Sequence, residues 1–327
     1  MRSLQYSRFG AAAEVLGVAD VARPEPGEGQ VLIRTILSPI HNHDLWTISG
    51  NYGYKPALPA IGGSEAVGVI EAVGPGVDGA LAGKRVVANG AGTWAEFYLA
   101  AANTIVPVPD AIGDEAASQL LSMPFSAISL LEFLDVGKGD WVIQTAANGA
   151  VGKVFYGLAR ARGVNVLNLV RRQAAADELA QAGMENVIST DADDWVAQAR
   201  AIIGEDGARA AVDSVGGKLV SDLATLLGYK GLLVTFGTAT GEPMALDSGP
   251  IIFKQLTIKG FWGAKVTGEL AGADKARMIG ELVSLAAKGQ LPLDVDGIYG
   301  LDDYAAAVAA AQTPGRKGKV LFKTGAS

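Results

Sequence analysis

Trp141 opens a run, WVIQTAANGAVGKVFYGLARARG, that reads as strand, glycine turn and helix within 23 residues. Ala146, Gly149 and Gly152 fall in the spacing A-x-x-G-x-x-G. Residues this small let the backbone approach a pyrophosphate and let the following helix pack closely on its strand. Val151, Val154, Phe155, Leu158 and Ala159 then recur at helical spacing, so Gly152 opens an amphipathic helix. The turn residues Ala146, Asn148, Gly149, Ala150, Val151 and Gly152 are therefore candidates to cradle a dinucleotide. A glycine pattern alone is weak where glycine makes up 43 of 327 residues, about twice its usual ~7%.

The surroundings strengthen it. From about residue 118, helical stretches alternate with short apolar strands at 141–145, 164–170, 186–190, 210–214, 231–236 and 256–261. Parallel neighbours need a crossover, and helices are the usual crossover, so the alternation predicts a doubly wound parallel sheet. Residues 1 to about 115 differ: extended segments at 30–37, 66–73, 85–88 and 93–99 are separated by turns such as PEPGEG and GPGVDG. That spacing predicts a β-rich lobe. Helical patterns at 274–288 and 301–312 and a closing strand at 319–323 are expected to rejoin that lobe. The expected organisation is α/β, with one domain from 1–117 and 265–327 and a nucleotide-binding domain from 118–264. No internal repeat is visible.

Composition narrows the function classes. A length of 327 residues suits two domains. With 27 basic against 34 acidic residues the chain carries −7 at neutral pH, and without a Lys/Arg run it has no basic groove for nucleic acid. The absence of cysteine excludes a disulfide framework, a thiolate nucleophile and a four-cysteine zinc lobe, and it permits a reducing, cytoplasmic setting. The longest apolar stretch, 120–134, is broken by Pro124 and Glu132, and the N-terminus lacks the order of a signal peptide. Neither a membrane span nor a leader is expected.

The strand VNVLNLV ends in Arg171 and Arg172, and Arg171 lies 19 residues after Gly152. An acid near that offset binds the ribose 2′-hydroxyl in NAD sites. Here two guanidinium groups stand in its place, and guanidinium pairs well with phosphate. The cofactor expected is NADPH; a solvated pair of arginines at a helix start is the plainer alternative.

Taken in order, FGAAAEVL, PEPGEGQVLIR, IGGSEAVGVIEAVGPGV, AANGAVG, AVDSVGG, GLLVTFG and RKGKVLF resemble the medium-chain dehydrogenase/reductase superfamily, a GroES-like β-lobe joined to a Rossmann domain. Within it, SGNYGYKPALPAIGGSE, GTWAEF, VIQTAANGAVG, NLVRR and IFKQLTIKGFW are most similar to the zinc-independent trans-2-enoyl-thioester reductases, with quinone oxidoreductases as the next neighbours. Zinc members place a cysteine three residues before an aspartate and follow with G-H-E; here His41 holds the cysteine's place before Asp44, and Ser64 replaces the histidine. His41, His43 and Glu65 are residue types that suit zinc, but the two characteristic ligands are gone, and no metal is expected.

The resemblance implies reduction of an electron-poor C=C bond: hydride adds to the β carbon and the α carbon needs a proton. Tyr52 in GNYG matches the tyrosine of that role, as proton donor or anchor for the thioester oxygen; packing as a turn aromatic is the alternative. Trp94 matches a cleft residue able to cover an acyl chain or the nicotinamide, or else packs in the core. Asn42 and His43 depart from the family's N-P-x-D wording and are candidate substrate contacts. Ser214, Val215 and Gly216, following Asp213, border the cofactor by resemblance or form a helix cap; Phe236 and Gly237 in GLLVTFG join them. Phe261 and Trp262 match a segment near the nicotinamide, and Lys319 a lysine that touches the cofactor, with a surface lysine as its alternative. Zinc-less relatives pair through the sheet edge, which places a homodimer seam near 231–262. Two other readings stay open: an NADPH:quinone oxidoreductase, and a nucleotide-binding protein without turnover.

Overall fold

The structure of the chain, a computed structural model, describes residues 1–325; residues 326 and 327, the last two of the expected 265–327 segment, lie outside them. Two compact units are formed, Met1–Ser122 with Glu281–Ser327, and Met123–Gly280.

The first unit opens as a β-lobe with strands β1 (Arg2–Tyr6), β2 (Gly17–Asp20), β3 (Gln30–Pro39), β4 (Ala60–Ile61), β5 (Glu65–Val73), β6 (Arg85–Asn89), β7 (Phe97–Ala101) and β8 (Val106–Pro107). β1 pairs antiparallel with β2 and β4. β3 centres the larger sheet, antiparallel to β5 and β7, and β5 leads through β6 to β8. Val31 and Ile33 of β3 meet Ala66, Ile70, Val86 and Tyr98 in one core cluster. The expected strand at 93–99 starts later, at Phe97, because Trp94 donates its backbone N–H to Gly62 and accepts from Leu4 instead of joining a ladder.

A helix, Asn42–Ser49, interrupts this lobe, where extended structure alone was expected. Its apolar stripe is thin, with Leu45 and Ile48 buried, so end signals must hold it. Asp44 sits at the third helical position and its Oδ2 accepts the backbone N–H of His41 at 2.9 Å, as in a capping box. Gly50 ends the helix with φ +78°, a left-handed conformation that glycine takes without strain.

The second unit contains β9 (Trp141–Gln144), β10 (Asn165–Val170), β11 (Val187–Ser189), β12 (Ala208–Asp213), β13 (Leu227–Thr235) and β14 (Thr257–Gly260). All five pairings are parallel, and the order is β11-β10-β9-β12-β13-β14. Helices Ala150–Ala161, Gln173–Gln181, Trp195–Ile203 and Leu219–Leu226 make crossovers. This is the Rossmann order, and it reverses between β9 and β12, where open α/β sheets bind ligands. Ile143, Leu167, Ala211 and Leu233 from the strands pack with Ala199, Ile203, Val220 and Leu223 from the helices. Each large aliphatic side chain so buried contributes roughly 1.5–3 kcal/mol against remaining exposed.

Two strands complete the first unit, β15 (Val295–Gly300) and β16 (Lys319–Lys323). β16 lies antiparallel to β3, with Leu321 opposite Pro39, and parallel to β15. The closing strand therefore rejoins the first lobe. No helix among the described residues is long and apolar enough to cross a membrane.

Candidate active site

At the carboxyl end of β9 the chain turns through Ala146, at φ +51°, and Gly149 donates its N–H back to the Ala146 carbonyl at 2.9 Å. Gly149 caps the helix Ala150–Ala161, whose first N–H groups have no intrahelical partners and suit an anion. Asn148 and Gly149 are exposed and Ala150 and Val151 half-buried. Gly152 faces inward: a Cβ there would stand 2.8 Å from the Ala147 carbonyl oxygen and 2.9 Å from its Cα. Backbone cannot yield as a flexible side chain does, so the sharp turn and close helix approach depend on this glycine.

Buried polar groups outside the glycine pattern hold the turn. Gln144 Nε2 donates to the Gly152 carbonyl at 3.0 Å and to Asn168 Oδ1 at 2.6 Å on the neighbouring strand. Asn168 passes its own amide to the Glu185 carbonyl at 2.8 Å. Thr145 Oγ1 donates to Asp213 Oδ1 at 3.0 Å and accepts the N–H of Ser214 at 2.8 Å. Asp213 has no exposed surface. Its carboxylate takes the N–H groups of Val215 and Gly216 at 3.1 and 2.9 Å, and its carbonyl takes those of Phe236 and Gly237 at 2.7 and 3.2 Å. The ends of β9, β12 and β13 are thereby tied at the topological switch point. Thr145, Gln144 and Asn168 were missed in the sequence because nothing in their spacing names their partners.

Arg171 and Arg172 follow β10 and are exposed. Ser189 Oγ and the Asp191 N–H both bond the Arg171 carbonyl, at 2.7 and 3.1 Å, fixing its backbone while leaving the guanidinium free of that task. Phe261 is 5% exposed and packs edge-on against Phe133 and tilted on Phe236. Trp262 beside it is half exposed.

The first unit holds a second polar assembly at the start of the helix Asn42–Ser49. His41 Nε2 lies 2.8 Å from Glu65 Oε2, with both side chains fully buried. Leu121 donates its backbone N–H to the other Glu65 oxygen. Burial pushes the Glu65 carboxyl up to about 7, against the pull of hydrogen bonds from Leu121 and Ser122. Burial, then the positive charge of Lys319, hold His41 well below its ordinary range, so it is neutral. Lys319 is 5% exposed, which sets aside a surface lysine; burial and then Arg316 lower its amine to about 8.

A further chain lies alongside. Ser64 Oγ donates to Asp44 Oδ1 at 2.7 Å and stands 2.7 Å from His43 Nε2. The His43 ring stacks on His41 at 5.0 Å and lies 6.0 Å from the ring of the half-buried Tyr52. Asn42 is exposed. His41 and Ser64, at the places of the zinc ligands, are committed to Glu65 and Asp44, and no group of three or more His, Cys, Asp or Glu among the described residues is arranged to hold a metal. Trp94 is wholly buried, its indole N–H donates to the Pro39 carbonyl at 3.2 Å, and its ring meets Phe322 edge-on at 5.1 Å. It packs the core.

Residues 27–110 match the alcohol dehydrogenase GroES-like domain, and residues 150–276 the zinc-binding dehydrogenase family. The chain is 31% identical to the mitochondrial enoyl-acyl-carrier-protein reductase of Caenorhabditis elegans, over 95% of this chain and 91% of that protein. It is 31% identical to the human mitochondrial enoyl-acyl-carrier-protein reductase, over 96% of this chain and 86% of that one. Among solved structures, Escherichia coli quinone oxidoreductase complexed with NADPH superposes with TM-score 0.87 at 25% identity, over 99% of this chain and 100% of that chain. A mycobacterial quinone oxidoreductase gives TM-score 0.87 at 28% identity, over 99% of each chain. With its GroES-like lobe, its Rossmann sheet and relatives aligned along nearly its whole length, the chain belongs to the medium-chain dehydrogenase/reductase superfamily.

Proposed function

We propose that the chain is an NADPH-dependent reductase of activated C=C bonds, acting on a 2-enoyl thioester or a related α,β-unsaturated carbonyl compound. The observation that carries this is Tyr52, a half-buried phenol beside the polar assembly of the first unit. A phenol hydroxyl can donate to a developing enolate. The enoyl-acyl-carrier-protein reductases at 31% identity support the substrate class.

The second unit fits NADPH on its own geometry. The backbone contacts around Gly152 leave no room for a side chain, and exposed Arg171 and Arg172 offer guanidinium groups for a 2′-phosphate. Ala146, Asn148, Gly149, Ala150 and Val151 would line the pyrophosphate, and Ser214, Val215, Gly216, Phe236, Gly237, Phe261 and Trp262 the sugar and nicotinamide; Lys319 remains a proposed cofactor contact. When bound, NADPH supplies a hydride for the substrate's β carbon. Tyr52 gives its O–H proton to the α carbon, while Asn42 and His43 contact the substrate.

A quinone as acceptor is the second reading, favoured by the likeness to quinone oxidoreductases at 25–28% identity. We further propose a homodimer, joined where β14 forms the sheet edge with every residue exposed, beside Ile252 and Phe253 at 64% and 82% exposure. Open strand edges and exposed apolar side chains are features that pairing covers. The lack of cysteine suits a cytoplasmic setting. Assay of NADPH oxidation with crotonyl-CoA, simple enones and quinones tests the choice. Turnover of the thioester above the quinones supports the C=C reading, and the reverse order favours the quinone.

A further inference from the structure

We propose that His43, oriented by Ser64 and Asp44, is a proton relay that restores the Tyr52 hydroxyl after each turnover. This rests on Tyr52 acting as the acid. Each reduction then breaks the Tyr52 O–H bond, forms an α C–H bond and leaves a phenolate, which must regain a proton before the next cycle.

Proton counting fixes the relay's direction. Asp44 is 4% exposed; its Oδ2 accepts the His41 backbone N–H at 2.9 Å and its Oδ1 the Ser64 hydroxyl at 2.7 Å. A serine hydroxyl has one proton, and Ser64 gives it to Asp44. Toward His43 Nε2, at 2.7 Å, the same oxygen can only accept. Nε2 therefore carries hydrogen in the neutral ring, and Nδ1 carries the lone pair. The ring has little freedom to turn, being stacked on His41 at 5.0 Å with a 17° interplanar angle.

The combination of serine, histidine and aspartate suggests nucleophilic hydrolysis, but its order excludes that. An activated serine needs a base as its proton acceptor and an acid behind that base. Here the acid is joined to the serine, so the serine serves as a spacer that orients the imidazole. The side chain of His43 keeps 26% of its surface exposed, which gives the ring access to water.

The cycle balances. Nδ1 takes a proton from solvent, forming an imidazolium with its Nε2–H on Ser64. The Asp44 carboxylate, 3.5 Å from Nε2, offsets the transient positive charge. The Nδ1–H bond then breaks as its proton passes to the phenolate oxygen of Tyr52, whose ring centre lies 6.0 Å from that of His43; the Tyr52 O–H bond is re-formed and the imidazole returns to its starting form. The titratable groups facing His43 are Asp44 on its own helix, His41 stacked on it, Glu65 at the start of β5, and Tyr52.

The test uses the full chain with NADPH and crotonyl-CoA. We expect His43→Ala to lower kcat about 100-fold, in the range of general acid–base effects, with Kd for NADPH within about threefold. Added imidazole should restore at least about a tenth of the lost rate, which repair of packing does not explain. Ser64→Ala, a smaller change, should lower kcat about tenfold and, in 15N NMR of histidine-labelled protein, shift His43 from a pure Nε2–H ring to a mixture of tautomers. Full kcat in His43→Ala, or a loss that imidazole leaves untouched, overturns the relay while Tyr52→Phe still tests the acid. Wild-type chain that binds NADPH but reduces no enoyl thioester overturns the proposed function itself, and the relay with it.

Discussion

His41 Nε2 stands 2.8 Å from Glu65 Oε2, and neither side chain has exposed surface. A buried ion pair would have to desolvate two charges; instead, burial pushes the Glu65 carboxyl up to about 7 and drives His41 downward. The two places that bracket the zinc-ligand pattern have become a hydrogen-bonded structural pair.

That pair makes stability depend on pH with a definite sign. Glu65 is raised from 4.5 to about 7 on folding, so its favourable contribution is full below pH 4.5 and is lost as pH rises toward 7. His41, lowered from 6.5, works in the opposite sense, its contribution being lost as pH falls. Glu65→Gln removes the first dependence. Melting at pH 5 and pH 8 should show the variant gaining on wild type with rising pH, by on the order of 3 kcal/mol. A difference that is flat or falls with pH contradicts the burial of an ionising Glu65.

Gly152→Ala places a methyl group within 2.8 Å of Ala147 backbone. We expect a stability loss of about 1–3 kcal/mol by overpacking and NADPH binding weakened at least about tenfold as the turn moves. Chemical denaturation and fluorescence titration of NADPH measure the two effects separately.

Arg171 and Arg172 test the choice of nucleotide. Replacing both by alanine should weaken NADPH by roughly 10- to 100-fold through lost charge-assisted hydrogen bonds, with NADH changed less than about threefold. Calorimetric titration with each nucleotide distinguishes this from equal loss of both, which would mark the arginines as general surface charge.

The fold was legible wherever a periodicity existed. The alternation after residue 118 announced all six parallel strands, and the small residues at 146, 149 and 152 announced the turn. β15 was not legible: its residues alternate between half-buried and exposed, and VDGIYG offers little apolar pattern. The helix Asn42–Ser49 was hidden by its polar content and shows only in Asp44 and Gly50 at its ends. Site partners were the least visible. Ser64 meets Asp44 across 20 residues and Thr145 meets Asp213 across 68, and no local spacing records which polar side chains the topology brings together.

Trp94 separates packing from chemistry. It has no exposed surface, and Gly62 and Gly63 lie so close that a Cβ on either would fall 2.3–2.4 Å from the indole. Trp94→Ala should cost about 3–5 kcal/mol of stability, while Trp94→Phe should keep KM for crotonyl-CoA within about threefold. Equilibrium denaturation and steady-state kinetics provide the readings; a large KM change in a stable Phe variant would return the indole to the substrate.

The most direct measurement follows where the two hydrogens go. Incubated with crotonyl-CoA and unlabelled NADPH in D2O, the wild-type chain should yield butyryl-CoA with one deuterium, located by NMR at the α carbon and absent from the β carbon. Tyr52→Phe should slow its formation at least about 100-fold while binding NADPH normally. Deuterium at the β carbon, full turnover by Tyr52→Phe, or reduction of quinones with no saturated thioester would contradict hydride addition to an activated double bond with Tyr52 as the acid.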